Sequence, residues 1–185
     1  MKPVGKMSLG ELAAFVCTQL GKHGIRAVLS GGACVSIYTD NRYESFDLDF
    51  IENIPTGRKL IKEALIGIGF VEENRYFKHP DTNFIVEFPA GPLAVGREPV
   101  QEIEEMEFPT GSLALLSPTD CVKDRLAAFY HWNDLQCLEQ ALLVTGAKKV
   151  DLREIMRWSA AENKSPEFEG IRGKFSEAMR KRKGS

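Results

Sequence analysis

The chain lacks any apolar run long enough to cross a bilayer. Its apolar stretches, such as Leu12–Cys17, Leu113–Leu116 and Leu126–Tyr130, fall far short of the roughly 20 residues a spanning helix needs. Spacings typical of a zinc motif are also missing: the cysteines at 17, 34, 121 and 137 form no C-x-x-C pair, and the histidines at 23, 79 and 131 form no H-x-x-x-H pair. Isolated cysteines of this kind read as small buried hydrophobes. There is no surplus of positive charge, since 24 Lys and Arg stand against 26 Asp and Glu, so the molecule as a whole has no pull on nucleic acid. Internal repeats and low-complexity linkers are absent. Met1–Gly10 carries two lysines but no apolar segment ending in small residues. A cytoplasmic protein without a secretory signal or membrane association is therefore expected.

What is present is globular: 43% hydrophobic and 27% charged residues over 185 positions, enough for one domain with a substantial core. Charge is unevenly spread. Five glutamates fall within Glu98–Glu107, and six basic residues within Arg172–Lys183, where Glu177 is the one acid. The basic end reads either as a solvated helix terminus or as a contact for RNA or DNA. Gly184-Ser185 has no readable role.

Periodicity orders the rest. Ser8 and Glu11 suggest a capping box, and Leu9, Leu12, Ala13, Val16 and Leu20 recur at helical spacing, predicting a helix over about 9–22. Ile25–Ser30 reads as a strand entering Gly31-Gly32, with a short helix from about Ala33. Phe46-Asp47-Leu48-Asp49-Phe50 alternates apolar residue and acid, the period of a strand. A helix capped by Thr56 is expected next, then one strand over Phe70–Phe77 and another over Asn83–Phe88, a loop over Pro89–Pro99, and a pair of strands flanking Pro109–Gly111. After Ser117-Pro118 the pattern becomes helical: Val122, Leu126, Phe129 and Tyr130, then Leu135, Leu138 and Leu142, then two helices over Asp151–Ala161 and Pro166–Arg182. The expected fold is α/β in the broad sense, α+β in detail. A mixed sheet flanked by helices fills 1–117, and a helical region over 118–185 shares its core.

Three features carry chemistry. Gly31-Gly32 at a strand-to-helix turn lets backbone approach a phosphate, whose charge the helix N-terminus favours; alternatively it is only a tight turn. Asp47 and Asp49, two apart on a strand, project from one face, an arrangement that repels itself unless cations neutralise it and whose oxygen donors suit Mg²⁺. Glu87 is the one charge in Phe84-Ile85-Val86-Glu87-Phe88, so it should face a metal, another cation or the solvent edge.

Leu29-Ser30-Gly31-Gly32, then Arg42, Ser45 and Asp47-Leu48-Asp49-Phe50, then Glu87 between hydrophobics, resembles the signature of the polymerase-β-like nucleotidyltransferase superfamily. With Tyr38 after the glycines and Arg-x-x-Ser-x-Asp-Leu-Asp-Phe following, it is most similar to the abortive-infection type toxins and related bacterial nucleotidyltransferases. The helical half offers a softer match in Ser117-Pro118-Thr119-Asp120, Lys123, Arg125-Leu126-Ala127-Ala128 and Asn133-Asp134-Leu135. Arg125 stands there in place of an expected lysine, and Cys137 in place of a second acid.

The resemblance implies a metal-dependent enzyme that moves a nucleoside monophosphate from a nucleoside triphosphate to an acceptor hydroxyl. Asp47, Asp49 and Glu87 would be catalytic and would hold Mg²⁺. Ser30, Gly31, Gly32, Arg42, Ser45, Lys123 and Arg125 would contact the nucleotide, although the last two equally suit an ordinary solvated helix face. Expected partners are a nucleoside triphosphate and, for a toxin of a toxin–antitoxin system, an antitoxin protein; the acceptor is left open between a small molecule and, in a third reading taken from the charge pattern, an RNA held by the basic C-terminal segment. The alternative is a nucleotide-binding or regulatory module that keeps the fold without transfer activity.

Overall fold

The computed structural model describes residues 2–183; Gly184 and Ser185 lie outside them. After a 3-10 turn at Val4–Lys6 come α1 (Leu9–Lys22), β1 (Ala27–Ser30), α2 (Gly31–Tyr38), β2 (Asp47–Glu52), α3 (Arg58–Ile66), β3 (Val71–Glu73), β4 (Tyr76–Lys78) and β5 (Ile85–Glu87). They are followed by β6 (Ala94–Val95), β7 (Glu98–Pro99), β8 (Ile103–Phe108), β9 (Gly111–Leu116), α4 (Pro118–Trp132), α5 (Leu135–Ala147), α6 (Leu152–Ala161) and α7 (Ser165–Lys183). The fold is α+β with a mixed sheet and a run of C-terminal helices, as the periodicity implies. Two compact units form, each from three separate segments. One comprises Met1–Ala33, Glu44–Leu93 and Ile103–Leu115; the other comprises Cys34–Tyr43, Ala94–Glu102 and Leu116–Ser185.

The first unit is organised by a seven-stranded sheet in the order β3-β4-β5-β2-β1-β9-β8. Every residue of β1 is buried, as its near-central place demands. β1 runs antiparallel to β2 with Ser30 opposite Asp49, and β2 runs parallel to β5 with Asp49 opposite Glu87. Helix α1 covers part of this sheet with Leu12, Phe15, Val16 and Leu20, all buried. Its first turn is closed by the capping box read from sequence, in which Ser8 Oγ accepts from Glu11 N–H and the Glu11 carboxylate accepts from Ser8 N–H; such a cap contributes about 1 kcal/mol. At the far edge, β8 carries Glu104, Glu105 and Glu107, all exposed. Like charges along an unpaired edge discourage strand addition by another chain, which gives part of the acidic cluster a structural purpose.

The second unit is mainly helical. Helix α4 opens on Ser117, whose Oγ accepts from Asp120 N–H, with Pro118 at its first position. It closes on Asn133 in the left-handed region, and Asp134 and Asp151 cap α5 and α6. The centre of the unit is Trp158, fully buried, stacked on Tyr130 at 6.0 Å and donating its indole N–H to the Val95 carbonyl at 3.1 Å. That bond explains why the two-stranded ribbon β6–β7 forms within a stretch expected to be loop. The Tyr130 hydroxyl shares a hydrogen bond with Ser159, and burial pushes its pKa up to about 12. All four cysteines are free; three are buried and Cys17 is half-buried.

Two expectations need correction. Helix α3 starts at Arg58 after Gly57, whose φ of 96° only glycine adopts readily, while Thr56 donates its hydroxyl to Glu52 instead of capping. The segment over 70–77 is a hairpin, not one strand, because Asn74 takes a left-handed conformation (φ 57°) between β3 and β4. Among the described residues no helix is long and apolar enough to cross a membrane.

Candidate functional site

The first unit brings the strand end, the glycine turn and the acidic strand to one place. β1 passes into α2 without an intervening residue, so Gly31 both leaves the sheet and starts the helix, at φ +69°. A Cβ there would stand 2.5 Å from Asp49 Oδ2. Glycine is thus required twice, by backbone conformation and by the carboxylate lodged against the turn. The Ser30 hydroxyl, expected at phosphate, donates to the Asp49 backbone carbonyl at 3.2 Å. Ser30 therefore ties β1 to β2 beside the acid.

Alternation along β2 leaves Leu48 and Phe50 buried, Asp49 partly exposed and Asp47 exposed. Asp47 and Asp49 share a face, and the parallel register sets Glu87 beside Asp49. The entry to β2 is fixed by Ser45, whose Oγ donates to the Asp47 carbonyl at 3.1 Å and accepts from Asp47 N–H at 3.3 Å. Next to it Phe46 stacks on Phe84 at 5.9 Å, and Ile85 N–H donates to the Phe46 carbonyl. Ser45 and the Phe46–Phe84 pair thus fix the register that aligns the acids.

Sequence reasoning missed Arg75. Its guanidinium lies 3.0 Å from Glu87 and 4.9 Å from the Tyr76 ring centroid. The hydrogen bond with Tyr76, then the charges of Glu87 and, more distantly, Asp49, raise its pKa above the ordinary arginine value. The Arg75 backbone is anchored, since Arg58 donates to its carbonyl at 2.8 Å, whereas its side chain is 70% exposed. An anchored base with an exposed arm can let go of Glu87 without disturbing the hairpin. The missing information was the antiparallel pairing: Tyr76 lies opposite Glu87, so the preceding turn residue is within reach.

The donor set can be tested against a divalent cation. Asp47 and Asp49 supply hard oxygens, and Mg²⁺ characteristically takes one or two carboxylates and completes its shell with water and phosphate. That pair fits. A preformed cage of three does not exist: among the described residues no three His, Cys, Asp or Glu side chains are grouped as a metal centre, and Glu87 has Arg75 as its cation.

The remaining expected contacts belong to the second unit. Arg42 follows α2 and is exposed. Lys123 is buried between Asp120 at 3.0 Å and Glu154 at 2.7 Å. Burial alone would lower its pKa, but its bonds to Glu154 and Asp120 outweigh that and raise it. Arg157 clamps Glu154 and Glu98, and chiefly through this bond the Glu154 carboxyl is held down to about 2. Arg125 pairs with Asp124 and donates to Gln140 Oε1 at 3.3 Å. Lys123 and Arg125 are thus already matched by carboxylates in their own unit.

No protein-family model and no curated protein matches the chain. Among solved structures, an antigenic nucleotidyltransferase-like protein from Paracoccidioides brasiliensis aligns with a TM-score of 0.64, covering 95% of this chain and 95% of that one at 11% identity. Identity so low carries the likeness no further than the backbone. The chain has a nucleotidyltransferase-like fold.

Proposed function

We propose that the chain is a metal-dependent nucleotidyltransferase that moves a nucleoside monophosphate from a nucleoside triphosphate to an acceptor hydroxyl. The observation that carries this reading is the seating of the Asp49 carboxylate against the Gly31 turn. A helix N-terminus favours either anion, carboxylate or phosphate, and a cation is what would let both occupy the same place. Asp47 and Asp49 would hold Mg²⁺, which when bound offsets charge on the attacking and leaving oxygens. The turn at Gly31 and Gly32 would orient the phosphate chain, and Ser30 and Ser45 hold the two strands that aim the acids. Glu87 would join once Arg75 releases it, freeing a guanidinium suited to phosphate. The toxin role implied by the resemblance would add an antitoxin as protein partner.

A non-catalytic module of the same fold is favoured by one observation, the ion pair that occupies Glu87. Incubation with each radiolabelled triphosphate, Mg²⁺ and total RNA separates the readings. Label transferred to an acceptor, and lost in Asp49→Asn, supports the enzyme. Triphosphate bound without transfer to any acceptor supports the module.

A further inference from the structure

The second unit contains a groove of about 880 Å³ between the C-terminal end of α2 and helices α5 and α7. Its floor is apolar, with Leu142 and Leu143 contributed by α5. Its walls are basic: Arg42, Lys148, Lys174, Lys181 and Arg182 stand against three carboxylates. One carboxylate, Glu177, is already paired with Lys181 at 2.8 Å. Four cations from three separate stretches of chain therefore face a space holding two further acids.

The placement of these cations is not that of an ordinary charged helix end. A helix C-terminus favours basic residues in its last turn through the macrodipole, which accounts for the clustering of Arg180, Lys181 and Arg182. It does not account for Lys174, two turns earlier and about 10 Å along the axis from Lys181 on the same stripe. Nor does it account for Arg42 and Lys148, which other elements supply. Lys148 lies 5.9 Å from the Tyr38 ring centroid, and Tyr38 donates its hydroxyl to the Leu116 carbonyl at 2.6 Å, so this wall is braced.

The Arg182 guanidinium is also incompletely satisfied within the chain. Arg182 Nε is shielded from water and has no hydrogen-bond partner, alone among the buried side-chain nitrogens and oxygens of the described residues. Buried N–H groups nearly always find an acceptor, because leaving one unmet forfeits its hydration. A guanidinium is best satisfied by paired oxygens of a phosphate or carboxylate.

We infer that this groove binds the phosphate backbone of an RNA strand. On the transferase reading that strand is the acceptor. A chain of phosphates matches cations spread over two helical turns and an opposing wall, whereas a single anion would engage only one or two of them. The apolar floor suits bases, which are flat and less hydrated than the backbone.

The test is fluorescence anisotropy of a labelled, mixed-sequence single-stranded RNA 20-mer with the full chain, without triphosphate or metal, between 50 and 200 mM salt. With four phosphate contacts the log–log slope should be about −2.8, an affinity loss of roughly 50-fold over that range. Lys174→Ala/Arg182→Ala should bring the slope to about −1.4. Lys59→Ala, which removes a 92% exposed lysine of the first unit, should leave it unchanged. Circular dichroism and a thermal melt establish that the double variant is folded, and the single variant Lys174→Ala, at an exposed position, should still lose about 0.7 of slope. An unchanged slope in these variants would overturn the inference. So would equal competition by free AMP at matched nucleotide concentration, or equal binding of a poly-glutamate 20-mer. The result does not depend on the transferase reading: a chain that binds RNA in this way but transfers nothing contradicts only that reading.

Discussion

Two charged clusters, one in each unit, are built in opposite ways. In the second unit Lys123, Asp120, Glu154, Arg157 and Glu98 form a closed network in which each ion touches its opposite. In the first, β2 and β5 set Asp47, Asp49 and Glu87 along one face, and the nearby cation, Arg75, reaches in from an exposed turn. Matched charges hold the fold together; like charges held side by side by a rigid sheet raise the energy of the free state and lower it again only when a cation arrives. The contrast separates groups whose loss should unfold the chain from groups whose loss should silence it.

The largest stability effect should come from breaking the closed network. Lys123→Met leaves Asp120, itself buried, without its cation, and should cost about 3–5 kcal/mol in a urea melt. A loss below about 1 kcal/mol would erase the distinction between the units. Gly31→Ala should cost less, about 1–2 kcal/mol from the backbone conformation. Because Asp49 must shift away from the new Cβ, its response to Mg²⁺ and triphosphate should fall far more than its stability. An unaltered ligand response in a folded Gly31→Ala protein would show that the turn does not position the acid.

Smaller still is the effect expected of Arg75→Ala. An exposed pair contributes under about 1 kcal/mol, so the melt should scarcely move. Removing the competitor for Glu87 should nevertheless tighten Mg²⁺ binding measured by calorimetry and weaken that of the triphosphate. If both affinities stay as in the wild type, Arg75 is only a surface partner.

Acid titration sharpens the comparison from the other side. Glu154 has a folded pKa of about 2 against an ordinary 4.5, so its contribution to stability is complete above about pH 4.5 and is lost as pH falls toward 2. Between pH 5 and 2 the wild type should lose melting temperature more steeply than Glu154→Gln. Parallel curves would mean that Glu154 gains nothing from Arg157 and Lys123.

Much of this was legible in the chain. Helix α1 and its capping box, the Ser117-Pro118 start of α4, and the alternation over 47–50 follow from local rules, and the structure has them where those rules place them. What escaped depended on contacts distant in sequence. The hairpin at Asn74 is invisible to alternation, because one left-handed residue reverses the chain without interrupting the pattern. The β6–β7 ribbon is held by Trp158, some 60 residues away. At the site, one-strand reasoning sufficed for Asp47 and Asp49, whereas the Arg75–Glu87 pair required the order β4-β5-β2, which periodicity does not encode. Lys123 and Arg125 illustrate the reverse: a sequence reveals cations on a helix, but not the carboxylates that neighbouring chain brings to them.

The most direct test is a pair of thermal melts, wild type and Asp49→Asn, each with and without Mg²⁺ plus triphosphate, run beside a transfer assay. Without ligand the variant should melt at or above the wild type, because an amide at position 49 relieves repulsion on the β2 face. With ligand at about 100 times its dissociation constant the wild type should gain about 2.7 kcal/mol, or roughly 5–10 °C, and the variant distinctly less, with transfer abolished. Wild-type activity in Asp49→Asn, or two proteins equally indifferent to metal and nucleotide, would contradict the account.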